Sequence, residues 1–557
     1  MRTETKAPEA VRATDADGGL LRGTGPGFGP LFRRFPFEER TLFHVLAHQA
    51  ERLAGKPWLI FDSADVLTFG QAYQQACQCA RALDATVSGP TRVALLLRNQ
   101  IEFFPAFLGA IAHGSTAAPL NPELRGELLS RMLVKSEAEV LLIRDDLLAL
   151  LEGLPSLGDV RLVVVCGGAP ASDSVSGVEV TTFERWVNGR DTAPPAQLPS
   201  PTDPGAVMFT SGTTGGSKGA VSSNHYLYLF SAAVSDSFGH TADDVLTTPL
   251  QACHVAGLHV IANSALQVGC TAHMKSLFAP STFWQDVARD GATFSMIMGQ
   301  MPGILLKTVP SAPPHKLEHL YTVPYPGPEF EERYNTRLVW QAYGLTESFP
   351  HLPSKQRIDG KPATASGYAP SWFDYGVVDE NDRLLPPGQP GELVYRPRIP
   401  FGMFSGYYKD DAATARAFRN FMFHTGDMGY YDEDGCVHFL RRMTDTIRRG
   451  GENISAVELE TVTAGHPEVV EAAAYGVPGE FGGHEVKVDV TTTGSLALAD
   501  LHAWLAERLP RFMIPRYLEV VGEMPKTPSA RIEKYKLRSR GIDRPEVEMF
   551  EQPRRRK

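Results

Sequence analysis

The sequence is poor in cysteine. Six thiols in 557 residues are too few and too scattered for a disulfide framework. Cys77 and Cys79 are close, but they fall in a helix-like run, AYQQACQCARAL. Residues two apart on a helix do not face one another, which argues against a metal or redox pair. Cys166, Cys253, Cys270 and Cys436 read as buried small hydrophobes. No apolar run approaches the roughly 20 residues that span a bilayer. Residues 1–30 lack the apolar core of a secretory signal. Positive charge is also in short supply: 54 Lys and Arg stand against 64 Asp and Glu, a net charge of −10, so the footprint of a nucleic-acid binder is missing. The closing Arg554-Arg555-Arg556-Lys557 reads as a short solvated tail. No repeat recurs at a fixed period. These absences predict a cytoplasmic, reduced protein with no membrane span and no nucleic-acid partner. The remaining composition, 43% hydrophobic and 21% charged, is ordinary for an enzyme too long for one core.

Short continuous apolar runs are plentiful. WLIF (58–61), VALLL (93–97), VLLI (140–143) and LVVV (162–165) alternate with helix-like segments such as Glu102 to His113. This pattern predicts an α/β fold whose strands are buried on both faces. Residues 1–30, rich in Gly, Ala and Thr, are expected to be a flexible N-terminal segment. Residues 31–443 are expected to form a large α/β domain with layered sheets. Residues 444–540 are expected to form a small mobile α+β domain, and 541–557 a tail. Gly426 to Leu440 reads as strand, a DEDG turn and strand. In the small domain Val457 to His466 looks helical and Val486 to Val490 looks like a strand. Leu501 to Arg508 looks like a helix capped by Asp500.

The most informative stretch is Thr210 to Ala220, TSGTTGGSKGA, which follows the apolar run Ala206 to Phe209. Its glycines allow close backbone approach, its N–H groups and hydroxyls donate to oxygens, and Lys218 adds a mobile positive charge. Such a loop can wrap a polyphosphate. It is not a Walker A loop, because the fifth residue after Gly212 is Ser217 rather than glycine. A Ser/Thr/Gly surface linker is the bland alternative.

Four further motifs follow in order: Cys253-His254-Val255-Ala256-Gly257, then QAYGLTE (341–347), then His424-Thr425-Gly426-Asp427, then RRMTD (441–445) running into IRRGGENI (447–454). Glu347 is a hard oxygen donor suited to Mg²⁺. Thr346 beside it can donate to a phosphate. Asp427 is a two-oxygen acceptor that suits a ribose diol, and Arg442 is a rigid donor fork for the same sugar or a phosphate.

Five motifs in this order resemble those of the adenylate-forming superfamily of acyl-CoA synthetases, luciferases and peptide-synthetase adenylation domains. Over residues 40–540 the chain looks most like the carnitine-CoA ligase-like branch, through AHQAERLAGKPWLIFD, PLNPELRGELL and RRGGENISAVELE. The resemblance implies ATP and Mg²⁺ as partners, with CoA as a possible acceptor. It assigns catalysis to Lys218, His254, Thr346, Glu347 and Arg531. It assigns nucleotide binding to Thr210, Ser211, Gly212, Thr213, Thr214, Lys218, Tyr325, Tyr343, Gly344, Thr346, Asp427 and Arg442, and the metal to Glu347. His254 would border the acyl pocket together with MIMGQMPGILL (296–306).

Several positions depart from the family pattern. Ala530-Arg531 stands where relatives carry Gly-Lys. Ser217 replaces a proline in the phosphate loop. Thr444 holds a hinge position where Asp or Lys is common. Gln251-Ala252-Cys253 precedes His254 where Pro-Leu-Phe is usual. Asn224 occupies a position where many relatives have His. The adenine loop is reduced to Val323-Pro324-Tyr325-Pro326, from which Tyr325 is the candidate to stack on adenine. The leading reading is a ligase that makes an acyl-AMP from a small carboxylic acid and transfers it to CoA. One alternative is an ATP-dependent diazotase that adenylates nitrite and delivers it to an aromatic amine. Another is a degenerate nucleotide-binding protein with little turnover.

Overall fold

The computed structural model describes residues 20–170, 172–210, 217–299, 301–323, 325–353, 358, 360–443, 446–450, 452–480, 483–525 and 532–551. The apolar runs form the strands Pro57–Phe61, Arg92–Leu96, Val140–Arg144 and Leu162–Cys166. The last three lie side by side and parallel in a nine-stranded sheet, with Val93 opposite Val140 and Val140 opposite Leu162. Leu95, Leu142 and Val164 feed one apolar cluster, while Leu96, Leu141 and Val163 feed another on the opposite face. Burial on both faces is why these runs are continuous rather than alternating. Pro57–Phe61 belongs instead to a seven-stranded sheet, beside Thr271–Met274.

One apolar cluster joins the two sheets through the helices Phe69–Thr86, Phe103–Ala112 and Asn224–Phe238. Every residue of Phe103–Ala112 is buried, as expected of a helix without a polar face. Gly109 lets this helix close on its neighbour, since a Cβ there would stand 2.5 Å from the Cβ of Cys79. All six cysteines are buried and reduced.

A third, antiparallel sheet of six strands holds Phe373–Val378, Gly391–Pro397, Phe423–Tyr431 and Val437–Arg442. Its edge corrects the expectation of flexibility at 1–30 for the part described, 20–30. Leu21–Arg22 pairs with Asp374 and Tyr375. Phe28 stacks between Phe32 and Trp372 at 4.0 and 4.4 Å. The glycines here serve close approach rather than freedom: a Cβ on Gly23 would meet the Pro370 carbonyl oxygen at 2.0 Å.

After this sheet the chain makes a two-stranded ribbon, Thr446–Arg449 with Glu452–Ser455, and then the helix Ala456–Ala464. A four-stranded sheet follows: Val469–Pro478, His484–Thr492, Tyr517–Val520 and Val547–Met549. The last strand lies in what was expected to be a tail, so the chain is ordered into this sheet beyond residue 541. The helix expected at 501–508 runs Leu498–Arg508. Asp500 sits inside its first turn and Ala497 holds the N-cap, so Asp500 is not the cap. Beneath the helices lies a polar knot. Lys487, fully buried, reaches Glu519 at 2.6 Å, Asp489 at 3.0 Å and the Tyr475 hydroxyl at 3.0 Å. Glu519 also holds Arg540 and Arg544, each at 3.0 Å. A buried lysine is tolerated only when surrounded by acceptors in this way. No helix among the described residues is long and apolar enough to cross a membrane.

Candidate active site

The loop Thr210 to Ala220 joins two antiparallel strands, Pro204–Thr210 and Lys218–Ser223, with Thr210 opposite Lys218. Ser211, Gly212, Thr213 and Thr214 lie outside the described residues, as do Thr444 and Arg531. The short strand Gly406–Tyr407 adds to the outer edge of Lys218–Ser223. That pairing brings the Tyr407 ring under the Lys218 ammonium, 4.9 Å from nitrogen to centroid. The Tyr407 hydroxyl donates to Glu347 Oε1 at 2.9 Å. The backbone N–H of Phe404 donates to the Glu347 carbonyl, also at 2.9 Å. Lys218, Tyr407 and Glu347 therefore form one cluster from three distant stretches of chain. Burial lowers the Lys218 pKa, and the carboxylates of Asp410 and Glu347 oppose that shift. Thr346 is half-buried, and its carbonyl accepts from the buried Tyr226 hydroxyl at 3.3 Å. Burial, and then the Glu347 charge, hold the Tyr226 phenol well above its ordinary pKa.

The segment Tyr343 to Glu347 links this cluster to a second. The Tyr343 hydroxyl donates to Asp427 Oδ2 at 2.5 Å. Asp427 lies in the strand Phe423–Tyr431, directly opposite Arg442 of Val437–Arg442; the Arg442 side chain is outside the described atoms. Glu392 on the next strand shapes the turn before Asp427. It accepts from Gly426 N and the His424 ring, both at 2.9 Å, and from Arg419 at 2.8 Å.

Gly344 is exposed, and the Phe349 ring covers the position its side chain would take, 2.1 Å from an ideal Cβ. Phe349 stacks on Phe230 at 4.5 Å, and Phe230 stacks on His259 at 4.8 Å. These rings form an aromatic block behind the YGLTE segment. Tyr325 stacks on Trp340 at 4.1 Å, so one of its faces is already occupied. Asn224 donates to the Ser200 carbonyl, and the His225 ring meets the Phe401 carbonyl; both are buried.

His254 stands at the head of the π-helical segment Ala256–Asn263, and its Nε2 lies 3.1 Å from Glu452 Oε1. Glu452 also accepts from Asn121 Nδ2 at 3.3 Å. Burial opposes the imidazolium, yet the Cys253 sulfur and the Glu452 carboxylate outweigh it and hold the His254 pKa well above its ordinary range. Burial likewise opposes the Glu452 carboxylate, but His254 and Asn121 bring its pKa below the usual value.

Tyr407, Asp410, Glu392, Trp340 and Phe349 were not singled out from sequence. Tyr407 and Asp410 had one available signal: the segment GYYKDD repeats in miniature the mix of aromatic, cationic and acidic groups that a phosphate site uses. A surface cavity of about 510 Å³ opens outside the loop, lined among others by Lys135, Glu137, Tyr408 and Lys409. Its Lys409 is paired with Glu137.

A family model for AMP-binding enzymes matches residues 46–408, and the model for the AMP-binding enzyme C-terminal domain matches residues 458–531. A sulfoacetate–CoA ligase from Cupriavidus necator is 30% identical over 89% of this chain and 97% of its own. A crotonobetaine/carnitine–CoA ligase from Salmonella arizonae is 28% identical over 80% of this chain and 88% of its own. Among solved structures, an o-succinylbenzoate CoA synthetase from Bacillus subtilis superposes with a TM-score of 0.75 at 21% identity, covering 89% of this chain and 98% of that one. The chain belongs to the AMP-binding enzyme family, as an adenylate-forming enzyme of the acyl-CoA synthetase type.

Proposed function

We propose that this chain uses ATP to activate a small carboxylate as its acyl-adenylate and then passes the acyl group to the thiol of CoA. The observation that carries the reading is the Lys218–Tyr407–Glu347 cluster at the mouth of the Ser/Thr/Gly loop. A cation and a buried carboxylate sharing one phenol match the needs of a polyphosphate and its counter-ion. In the first step a carboxylate oxygen attacks the α-phosphorus and the bond to the β-phosphate oxygen breaks, releasing pyrophosphate. In the second, the thiolate attacks the acyl carbonyl and AMP departs. Lys218 and Thr210, with Ser211, Gly212, Thr213 and Thr214, hold the β- and γ-phosphates. Thr346 donates to the α-phosphate. Asp427 and Arg442 take the ribose, while Tyr343, Gly344 and Tyr325 border the base.

Glu347 offers a carboxylate, with the Tyr407 hydroxyl beside it, and hard oxygen of this kind fits Mg²⁺. When bound, the ion neutralises charge on the phosphate oxygens. Tyr407 fixes by its hydroxyl the Glu347 carboxylate that would hold the ion. His254 borders the reacting carboxylate, and Arg531 supplies a cation during adenylation. Catalysis is positioning and charge stabilisation, with no protein nucleophile.

The block of Phe349, Phe230 and His259 supports a short acid, because it occupies the space behind Gly344. The sulfoacetate and carnitine ligases among the relatives support CoA as acceptor. The departures at Gln251-Ala252-Cys253, Thr444 and Arg531 favour a second reading, in which the oxyanion is nitrite. A nitrite oxygen would attack the α-phosphorus, an arylamine nitrogen would displace AMP, and loss of water would leave the diazonium. The deciding experiment is pyrophosphate release across short carboxylates and nitrite, followed by mass spectrometry with CoA or an aminobenzoate added. Acyl-CoA from a short acid supports the first reading. Diazonium with no acyl-CoA from any acid overturns it in favour of the second.

A further inference from the structure

The tight hairpin between the strands Phe423–Tyr431 and Val437–Arg442 gathers three metal-ligating side chains. One donor atom each of Asp432, Cys436 and His438 lies within 4.8 Å of the other two. Cys436 and His438 are buried, and Asp432 is half-buried at the mouth. The acid and the imidazole are held from behind. Asp432 Oδ1 accepts from the backbone N–H groups of Asp434 and Cys436, both at 3.0 Å, and Oδ2 meets His438 Nε2 at 3.0 Å. The other ring nitrogen of His438 meets the Thr364 hydroxyl at 3.3 Å, and the Tyr430 ring lies parallel to the imidazole at 4.5 Å. The turn itself is closed by the Tyr375 hydroxyl, which donates to the Gly435 carbonyl at 2.8 Å. A cation already lies at the mouth: the Lys361 ammonium is 2.7 Å from Asp432 Oδ2 and 2.7 Å from Asp434 Oδ2.

We propose that Asp432, Cys436 and His438 form a binding site for a borderline-soft divalent cation, Zn²⁺ above all, which takes the place of Lys361 on Asp432. Thiolate sulfur, imidazole nitrogen and a carboxylate oxygen make a zinc set, whereas Mg²⁺ takes oxygen alone. Tetrahedral zinc bonds of about 2.0–2.3 Å need donors roughly 3.3–3.7 Å apart, so small side-chain rotations close the present spacing. Three protein ligands leave the fourth position to water. The partners of the second His438 nitrogen and the second Asp432 oxygen are the kind of outer support that aims ligands at an ion. On binding, the Cys436 S–H bond breaks, a Zn–S bond forms and the proton leaves to solvent, with no change of oxidation state. Lys361 keeps Asp434 as its partner, so its charge is not stranded. An ion pair alone needs only Lys361 and the two aspartates at the rim. It gives no reason for a thiol and an imidazole sealed behind them. The ion would staple the closed end of the hairpin that pairs Asp427 with Arg442 further along.

The test is titration of Co²⁺, and then of Zn²⁺, into chelator-treated full-length protein and its Cys436→Ser, His438→Gln, Lys361→Gln and Cys253→Ser variants. The last controls for the other adjoining cysteine and histidine, Cys253-His254. In the wild type one equivalent of Co²⁺ should give a thiolate-to-cobalt charge-transfer band and tetrahedral d–d bands, which Zn²⁺ abolishes. Zn²⁺ uptake should release a proton into weakly buffered solution and raise the melting temperature. Cys436→Ser should lose the charge-transfer band, Cys253→Ser should keep it, and His438→Gln should bind about tenfold or more weakly. Lys361→Gln should bind Zn²⁺ roughly threefold or more tightly, because a competing positive charge has gone. A lysine with a merely structural role would not give that gain. No band in the wild type, a band that survives in Cys436→Ser, or one that vanishes in Cys253→Ser overturns the site. Should Cys436→Ser fail to fold, Lys361→Gln decides, and a Zn²⁺ affinity that is unchanged or weaker overturns the site.

Discussion

The phenol of Tyr343 and the carboxylate of Asp427 meet at 2.5 Å, although 84 residues separate them in the chain. Asp427 is only 1% exposed. A buried carboxylate depends on such a donor, because hydrogen bonds to charged groups contribute about 1.5–3 kcal/mol. The bond also fastens the YGLTE segment to the six-stranded sheet, so it sets the distance between the two halves of the proposed nucleotide site.

Tyr343→Phe should therefore weaken ATP binding by roughly tenfold and lower the melting temperature. Titration of ATP with thermal melting checks both. Unchanged ATP affinity in the variant would detach Asp427 from the nucleotide.

Tyr407→Phe removes the donor that orients Glu347 while keeping the ring beneath Lys218. Second-sphere partners of this kind typically tune metal affinity by about 10- to 100-fold. The expected outcome is a rise of roughly tenfold in the magnesium concentration needed for half-maximal pyrophosphate release. A midpoint that does not move would remove Tyr407 from the metal site.

Gly344→Ala sets a methyl group against the Phe349 ring. The ring must shift, which disturbs its stack on Phe230 and with it any acyl pocket that this aromatic block borders. The KM for the acid should rise much more than the KM for ATP. Gly344→Ala with Phe349→Ala should recover most of the loss, and kinetics of the single and double variants decide it.

The His254–Glu452 contact predicts a pH window for docking. Glu452 has a lowered pKa when docked, so its share is present above the ordinary carboxylate value of 4.5 and is lost as pH falls through the docked value. His254 has a raised pKa, so its share is full below the ordinary imidazole value of 6.5 and is lost as pH rises through the docked value. Protection across 446–455, meaning the base-catalysed intrinsic rate at each pH divided by the observed exchange rate, should be greatest between those limits and fall at higher pH. In His254→Gln the alkaline limb should flatten. A wild-type alkaline limb that persists unchanged in the variant would refute the assignment.

Three buried histidines oppose folding at acid pH. Burial lowers the pKa of His225 to about 4 and those of His259 and His351 to about 3. Each prefers to be neutral when folded, so stability is present above 6.5 and falls as pH drops below it. The slope is about 1.4 kcal/mol per pH unit for each histidine. Melting temperatures from pH 7 to pH 5 should decline, and His351→Asn should decline less steeply. Parallel slopes would exclude His351 from this effect.

The core strands were legible because they are buried on both faces, which forces unbroken apolar runs such as Val140 to Ile143. The candidate site was legible where several of its residues share one short segment, as in YGLTE. It was illegible where an ordinary residue gains its role only through pairing. Tyr407 matters because a two-residue strand joins Lys218–Ser223, and Glu392 matters because, opposite Met428 on the neighbouring strand, its side chain reaches the Gly426 N–H. Neither register is written in local composition. Trp340 escaped notice because the stacking surface sought for Tyr325 was a nucleotide, whereas one face of that ring already rests on indole. The segment at 20–30 misled because glycine signals freedom in isolation and tight contact in a packed setting.

The last turn of chain has a practical bearing on anyone shortening this protein. Glu519, sealed from solvent, faces three cations, and two of them, Arg540 and Arg544, arrive only after the helix Lys534–Ser539. A truncation ending at residue 539 would leave that glutamate with Lys487 alone and would bare the edge of Tyr517–Val520 that Val547–Met549 normally covers. An affinity handle placed beyond Phe550 should be harmless, whereas one replacing residues 540–550 should yield aggregates through the uncovered edge.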